Sequence, residues 1–279
     1  MASPTPVRVQ GLTGVTAIRA GGDFTCAVVS EGRVSCWGTN LSGELGRSFG
    51  GPDSPVPVPV PGVDGVTQLA AGTRHACVLD TGLVRCWGFP DPPGKVFTWF
   101  GTHNPTSIDA GADFTCALAE GGKVWCWGVA RDGELGNGTV VEKATPTMAS
   151  IDGVTQLALG ATHACALLGD GSVQCWGYNR SGLLGDGATT AANMPMAVRA
   201  LPGPVSRLFA GADCTCAAVG EALQCWGSKL LRPRPIENLP GASEAGLGQG
   251  TGGCAVARGG QVRCWQWPSV VAAPVKGWM

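Results

Sequence analysis

Six times in 279 residues the chain returns to one unit: an apolar stretch opened by a cysteine, a glycine turn, a second apolar stretch, and the stop Cys-Trp-Gly. The first copy, Thr25 to Gly38, reads TCAVVSEGRVSCWG. It is followed by HACVLDTGLVRCWG, TCALAEGGKVWCWG, HACALLGDGSVQCWG, TCAAVGEALQCWG and a worn last copy, GCAVARGGQVRCWQW. A chain built this way folds as an array of one supersecondary unit, because a single hairpin cannot bury its own apolar faces and must stack on its neighbours. No segment lies outside the repetition, so residues 1–279 read as a single domain.

Each copy fixes its own register. The last position of a three-residue hairpin loop falls in the left-handed region that favours glycine, and Gly32, Gly122, Gly171 and Gly260 stand there. Counting outward sets Cys26 against Cys36, Cys116 against Cys126, Cys165 against Cys175, and Cys254 against Cys264. Copies two and five are one residue shorter, but two-residue turns at Thr81-Gly82 and Gly220-Glu221 again oppose Cys77 to Cys86 and Cys216 to Cys225. Directly opposed residues in an antiparallel pair have α-carbons roughly 4.5 to 5.5 Å apart, within reach of a disulfide. The sequence thus predicts six cross-strand disulfides, one per repeat, with Cys214 left over.

Before each hairpin runs a prelude with a proline-rich strand and a second strand, as in SPVPVPVPGVDGVTQLAAG and TPTMASIDGVTQLALG. Four short strands per unit, punctuated by 45 Gly and 20 Pro, predict an all-β protein. Proline cannot donate to an interior ladder, so the proline strand belongs at an outer edge. The expected fold is a β-propeller of four-stranded blades, with six blades favoured over seven. Residues 4–9 and the tail PSVVAAPVKGWM compete to supply the closing strand. Repeat length varies after Trp-Gly, where copies one, three and four carry long insertions and copies two and five only FPDPPGK and SKLLRPRP, so those loops belong at a surface.

The net charge of −1 withholds the field that draws a protein onto nucleic acid, and no run approaches membrane-spanning length. Neither a nucleic-acid partner nor membrane insertion is expected. Thirteen cysteines in hairpin register point to an oxidising compartment: secreted, periplasmic or cell-surface. The opening MASPTPVRVQ lacks a signal peptide's apolar region, which predicts either a removed leader or a longer parent chain.

The ordered submotifs Gly-Val-x-x-Ile/Leu-x-x-Gly, His/Phe-Thr/Ala-Cys-Ala-Leu, Asp-Gly-x-Val, Cys-Trp-Gly and Asn-x-x-Gly-x-Leu-Gly resemble regulator of chromosome condensation repeats across essentially the whole chain. The resemblance implies a propeller, most often seven-bladed, with one face for partners. Its branches include exchange of guanine nucleotide on a small GTPase at chromatin, ultraviolet-B sensing, inhibition of β-lactamases by a bacterial exported branch, and plain protein binding. The light sensor's Gly-Trp-Arg-His-Thr tryptophans are replaced here by Gly22, Thr73, Ala112, Ala161 and Ala212. The tryptophans instead follow cysteine, at Trp37, Trp87, Trp127, Trp176, Trp226 and Trp265, where blade packing requires them. Cysteine pairs in every blade and low positive charge favour the exported branch over the chromatin one.

Function therefore reads as non-catalytic protein binding by a monomer, with no cofactor and no metal. No nucleophile is matched to a base, no phosphate loop is present, and no zinc spacing survives the hairpin explanation. The candidate contacts are the residues just before each paired cysteine: Asp23 and Phe24, Arg74 and His75, Asp113 and Phe114, His163, and Asp213. Asp23, Phe24, Arg74, Asp113, Phe114 and Asp213 are expected to be exposed, whereas His75 and His163 also suit burial with one hydrogen bond. These residues and the loops after Trp-Gly are expected to form two rims. Two alternatives stand beside this reading: an ion- or ligand-binding propeller, or enzyme, using Asp23, Asp113 and Asp213 on a central rim, and a structural module of a larger cell-surface protein.

Overall fold

The computed structural model describes residues 7–89, 97–99, 104–242, 244–248, 252–267 and 269–275. The chain divides into two compact units, Met1–Asp113 and Phe114–Met279. The first unit carries strands β1 (Ala17–Ala20), β2 (Phe24–Val29), β3 (Arg33–Gly38), β4 (Ser54–Pro59), β5 (Val66–Ala71), β6 (His75–Asp80), β7 (Leu83–Gly88), β8 (Phe97–Trp99) and β9 (Pro105–Ala110). The second carries β10 (Phe114–Ala119), β11 (Lys123–Gly128), β12 (Lys143–Met148), β13 (Val154–Leu159), β14 (His163–Leu168), β15 (Val173–Gly177), β16 (Ala192–Ala197), β17 (Arg207–Ala210), β18 (Cys214–Val219), β19 (Ala222–Gly227), β20 (Leu230–Pro235), β21 (Glu244–Leu247), β22 (Gly252–Val256), β23 (Val262–Gln266) and β24 (Ala273–Pro274).

These strands form six four-stranded sheets in which sequential strands are neighbours, from β1-β2-β3-β4 to β21-β22-β23-β24. They are the blades of an all-β propeller. The middle two strands of each are the predicted hairpin. The proline strand sits at the sheet edge, but in the sheet of the hairpin that precedes it: β4 pairs with β3 through Ser35↔Pro59, Cys36↔Val58 and Gly38↔Ser54. In the sixth blade the tail supplies that strand, since Ala273 pairs with Cys264, while residues 7–9 have no regular structure and 1–6 lie outside the described residues. No helix among the described residues is long and apolar enough to cross a membrane.

All six cysteine pairs that the register predicts are bonded. Their α-carbons lie 4.0–4.1 Å apart, inside the spacing expected of strands alone. The turns follow the count, with one addition. Gly32 is left-handed (φ 68°), and so is the middle loop residue Glu31 (φ 65°). Gly32 also meets a second demand, because a Cβ there would fall 2.4 Å from the backbone nitrogen of Val66 in the next blade. In the short copies Thr81 and Gly82 are both left-handed, but at the other turn only Gly220 is, matching the two mirror-image turn types that suit hairpin twist.

The core sits between neighbouring blades. In the first unit Cys26, Cys36, Val28 and Val34 of one blade pack with Leu69, Val78 and Trp87 of the next. In the second unit the bridges of β10-β11, β14-β15 and β18-β19 lie in the same way under Trp176, Trp226 and Trp265. Each bridge closes a loop of about ten residues, and chain-entropy arithmetic assigns such a loop about 2–3 kcal/mol. Replacing Cys165 and Cys175 together by serine is expected to lower unfolding free energy by that amount in urea titration, with the sheet content in circular dichroism unchanged.

Candidate functional site

The start of a hairpin's first strand and the end of its second lie at the same end of the blade, because the two strands run antiparallel. The backbone shows it directly. The carbonyls of Asp23, Arg74, Thr162 and Asp213 accept hydrogen bonds at 2.8–2.9 Å from the N–H groups of Thr39, Phe89, Tyr178 and Ser228, the residues that follow Trp-Gly. The two rims expected from sequence are therefore one end. The glycine of Trp-Gly is required by this approach: Gly38 has φ 111°, and a Cβ on it would stand 2.4 Å from the Asp23 carbonyl oxygen.

At this end the long loops are built from the inside. In the first blade's loop Asn40 is buried; its Oδ1 accepts from the Leu45 N–H at 3.0 Å and its Nδ2 donates to the Ser48 carbonyl at 3.3 Å. Asn179 repeats this role in the fourth blade, accepting from Leu184 N–H at 3.0 Å while its amide reaches Asp186, Ala188 and Thr190. Just before Leu-Gly, the Glu44 carboxylate accepts from the Ser42 N–H at 2.8 Å, and in the third blade's loop, where Ala130 stands in place of the Asn, that of Glu134 accepts from the Asp132 N–H at 2.9 Å. Burial raises the pKa of Glu134 despite that bond.

The loops also hold the next blade. The indole N–H of Trp87 donates to the Glu44 carbonyl at 2.8 Å, that of Trp176 to the Glu134 carbonyl at 2.8 Å, and that of Trp226 to the Leu183 carbonyl at 2.9 Å. The fifth blade has only the short connection, and among the described residues the buried indole nitrogen of Trp265 has no hydrogen-bond partner. A third link comes from the prelude, where Gln156 imitates a backbone edge: it accepts from Leu208 N–H at 2.9 Å and donates to the Leu208 carbonyl at 2.8 Å. Gln68 likewise accepts from Ile108 N–H at 3.0 Å. The repeated Gly-Val-Thr-Gln-Leu at 65–69 and 153–157 is the sequence signal for this link, and Asn-x-x-Gly-x-Leu-Gly is the signal for the loop interiors.

The candidates themselves separate into two groups. Phe24 and Phe114 are buried, which corrects their expected exposure. Each is two residues before a bridged cysteine and so shares the face that the neighbouring blade covers. His75 and His163 occupy the same position and are buried too. His163 Nε2 lies 2.7 Å from the Thr215 hydroxyl of the next blade. Burial lowers both imidazoles to about pKa 4. Cys214, also at this position, is a buried free thiol pushed up to about 11 by desolvation.

Arg74 and Asp113 are partly exposed but engage each other, with guanidinium–carboxylate distances of 3.1–3.2 Å, and Arg74 also lies 4.0 Å over the Phe89 ring. Asp23 and Asp213 are exposed. Among the described residues no three His, Cys, Asp or Glu side chains gather as a metal site. Each unit taken by itself carries apolar side chains on its loops after Trp-Gly: in the first, Leu41 is 74% and Phe49 55% exposed, and in the second, Val140 and Val141 are 58% and 55% exposed.

Two sequence profiles for the regulator of chromosome condensation (RCC1) repeat match the chain, one over residues 31–79, 121–167 and 170–218 and the other over 15–44, 106–134 and 154–183. The chain belongs to the RCC1 repeat family. The mitochondrial RCC1 domain-containing protein RUG3 of Arabidopsis thaliana is 36% identical over 149 residues, which are 47% of this chain and 33% of RUG3. The chain thus spans about a third of that relative's length. Among solved structures, human WBSCR16 superposes with a TM-score of 0.85 at 20% identity, over 98% of this chain and 85% of that one. Prp20p of Saccharomyces cerevisiae, described with its binding properties to Gsp1p and histones, gives 0.81 at 22% identity over 94% and 77%. At these identities the RCC1 structures establish the propeller fold.

Two outcomes follow from the buried polar groups. Asn179→Ala leaves the Leu184 N–H buried and unbonded, and is expected to cost about 2–3 kcal/mol in denaturant unfolding. The histidines bind protons in the unfolded chain near 6.5 but in the folded one only near 4, so their contribution is complete above pH 6.5 and lost as pH falls toward 4. Stability measured between pH 7 and 5 is expected to fall by up to about 1.4 kcal/mol per unit for each histidine, and His163→Phe, which installs the ring found at Phe24 and Phe114, should remove half of the pair's slope.

Proposed function

We propose that this chain is a non-catalytic protein-binding propeller that engages its partner with the loops after Cys-Trp-Gly. One observation carries the reading: loops stiffened by buried Asn and Glu side chains hold Leu41, Phe49, Val140 and Val141 in water. Ordered apolar side chains cost little further entropy on docking, which is what a protein interface needs. The binding properties described for Prp20p lend the family-level support. Asp23 and Asp213, exposed at the same end of their blades, are the polar contacts of this reading, whereas Arg74 and Asp113 are placed by each other.

The partner is a protein and not a nucleic acid, given a net charge of −1. The six disulfides support an oxidising compartment for this work, outside the cell or in a periplasm. In this reading the chain acts as a monomeric binding surface and calls on no cofactor or metal.

The test is affinity capture with crosslinking from the extracellular or periplasmic fraction, comparing three forms. The wild type is expected to retain a specific protein. A variant with Leu41, Phe49, Val140 and Val141 changed to serine should hold it roughly thirtyfold more weakly, the loss of about 2 kcal/mol typical of interface anchors. Val56→Ser, an exposed position on the β4 edge strand, should bind as wild type. Equal retention by the loop variant would remove the loops from the interface.

A further inference from the structure

The long loops repeat one segment, and its last residue changes from cation to amide to carboxylate: Gly43-Glu-Leu-Gly-Arg47, Gly133-Glu-Leu-Gly-Asn137 and Gly182-Leu-Leu-Gly-Asp186. In the second and third of these the residue is an acceptor that ties down the loop beyond it. Asn137 Oδ1 accepts from the Thr139 N–H at 3.0 Å, and Asp186 Oδ1 from the Ala188 N–H at 2.9 Å. A guanidinium has donors only and cannot take that role. Arg47 is partly buried, its Nε is shut off from solvent, and its side chain has no hydrogen bond or ion pair among the described residues. The two carboxylates of the same loop are already engaged, Glu44 with the Ser42 N–H at 2.8 Å and Asp53 with the Asn40 N–H at 2.9 Å. Within the unit Met1–Asp113 this loop therefore holds a cation that its own fold does not use. Exposed apolar residues stand beside it in the loop. The Gly50 N–H donates to the Leu41 carbonyl at 3.2 Å and Asn40 Nδ2 to the Ser48 carbonyl at 3.3 Å, so the limbs that carry Leu41 and Phe49 run side by side.

We propose that Arg47 receives a carboxylate of the protein partner, an Asp or Glu side chain set between apolar residues that meet Leu41 and Phe49. This deepens the reading of the loops after Cys-Trp-Gly as the binding surface and rests on it. A guanidinium presents parallel N–H donors that match a carboxylate, and charge-assisted pairs of this kind are the stronger hydrogen bonds. Folding has taken Nε of Arg47 from water without giving it an acceptor, and a bond made on docking recovers that cost. Arginine and aromatic side chains are also the residues enriched at protein interfaces. An acidic segment fits where a basic one is repelled.

The probe is an array of short peptides with uncharged ends, each with a central Glu, Gln, Lys or phosphoserine flanked by varied Leu, Ile and Phe; peptides that the native chain retains are then titrated by fluorescence anisotropy. The wild type is expected to hold Glu peptides about tenfold more tightly than their Gln counterparts and to reject the Lys ones. Arg47→Asn, which installs the residue of the third blade's loop, should erase that preference and keep the wild-type midpoint in urea, whereas Arg47→Lys should keep part of the preference. Leu41→Ser with Phe49→Ser should weaken all retained peptides alike. If that pair weakens binding but Glu and Gln peptides bind equally, or Arg47→Asn changes nothing, the carboxylate site falls and the loop surface stands. Binding that ignores Leu41→Ser with Phe49→Ser removes the loop surface itself. Retention of phosphoserine peptides alone, or of no peptide at all, also overturns the carboxylate site. A lowered midpoint in Arg47→Asn would show that Arg47 serves the fold and would overturn it too.

Discussion

The register of one hairpin governs everything else in this chain. Once Cys26 faces Cys36, Phe24 must face Gly38 and Thr25 must face Trp37, and the same arithmetic runs through the other copies whether their turn holds two residues or three. The disulfide makes a slip of register costly, since a shift by one residue would both separate the sulfurs and turn the apolar face outward. Backbone geometry then delivers the glycine after tryptophan against the carbonyl at the other strand's start. A long or short loop can leave from that point without disturbing the sheet.

Among the links between neighbouring blades, three devices recur along the array. Apolar packing over the bridge is the largest; the indole bond to the preceding loop and the glutamine that imitates a strand edge add direction to it. Each of the two polar links satisfies a donor that packing would otherwise leave dry, where an unmade bond costs about 1–3 kcal/mol. Specific geometry between blades therefore comes from a few amides and indoles, not from the aliphatic side chains, which would tolerate sliding.

Most of the blade was legible from residue order, because it is set by local rules: turn length, alternation and the absence of a donor on proline. The errors have equally local causes. Phe24 and Phe114 stand beside aspartates, which suggests surface, yet the alternation that places Cys214 on the face of Cys216 places each phenylalanine on the face of its cysteine. Arg74 and Asp113 are charged and 39 residues apart, and only the stacking of one blade on the next reveals that they meet. The loop interiors were illegible for a different reason. The recurring Asn-x-x-Gly-x-Leu-Gly marks where Asn40 and Asn179 stand, but the backbone groups their amides donate to, at Ser48 in one loop and at Ala188 and Thr190 in the other, differ with each loop's path. Exposed apolar tips could be seen in sequence only as more hydrophobic residues.

The bare indole nitrogen of Trp265 has a meaning for how such arrays diversify. The acceptor for an indole is carried by the loop of the blade before it, so a change of loop acts on a bond that its own blade does not make. A longer loop transplanted behind Trp226 with a carbonyl in the right place would serve Trp265, a neighbour it does not belong to.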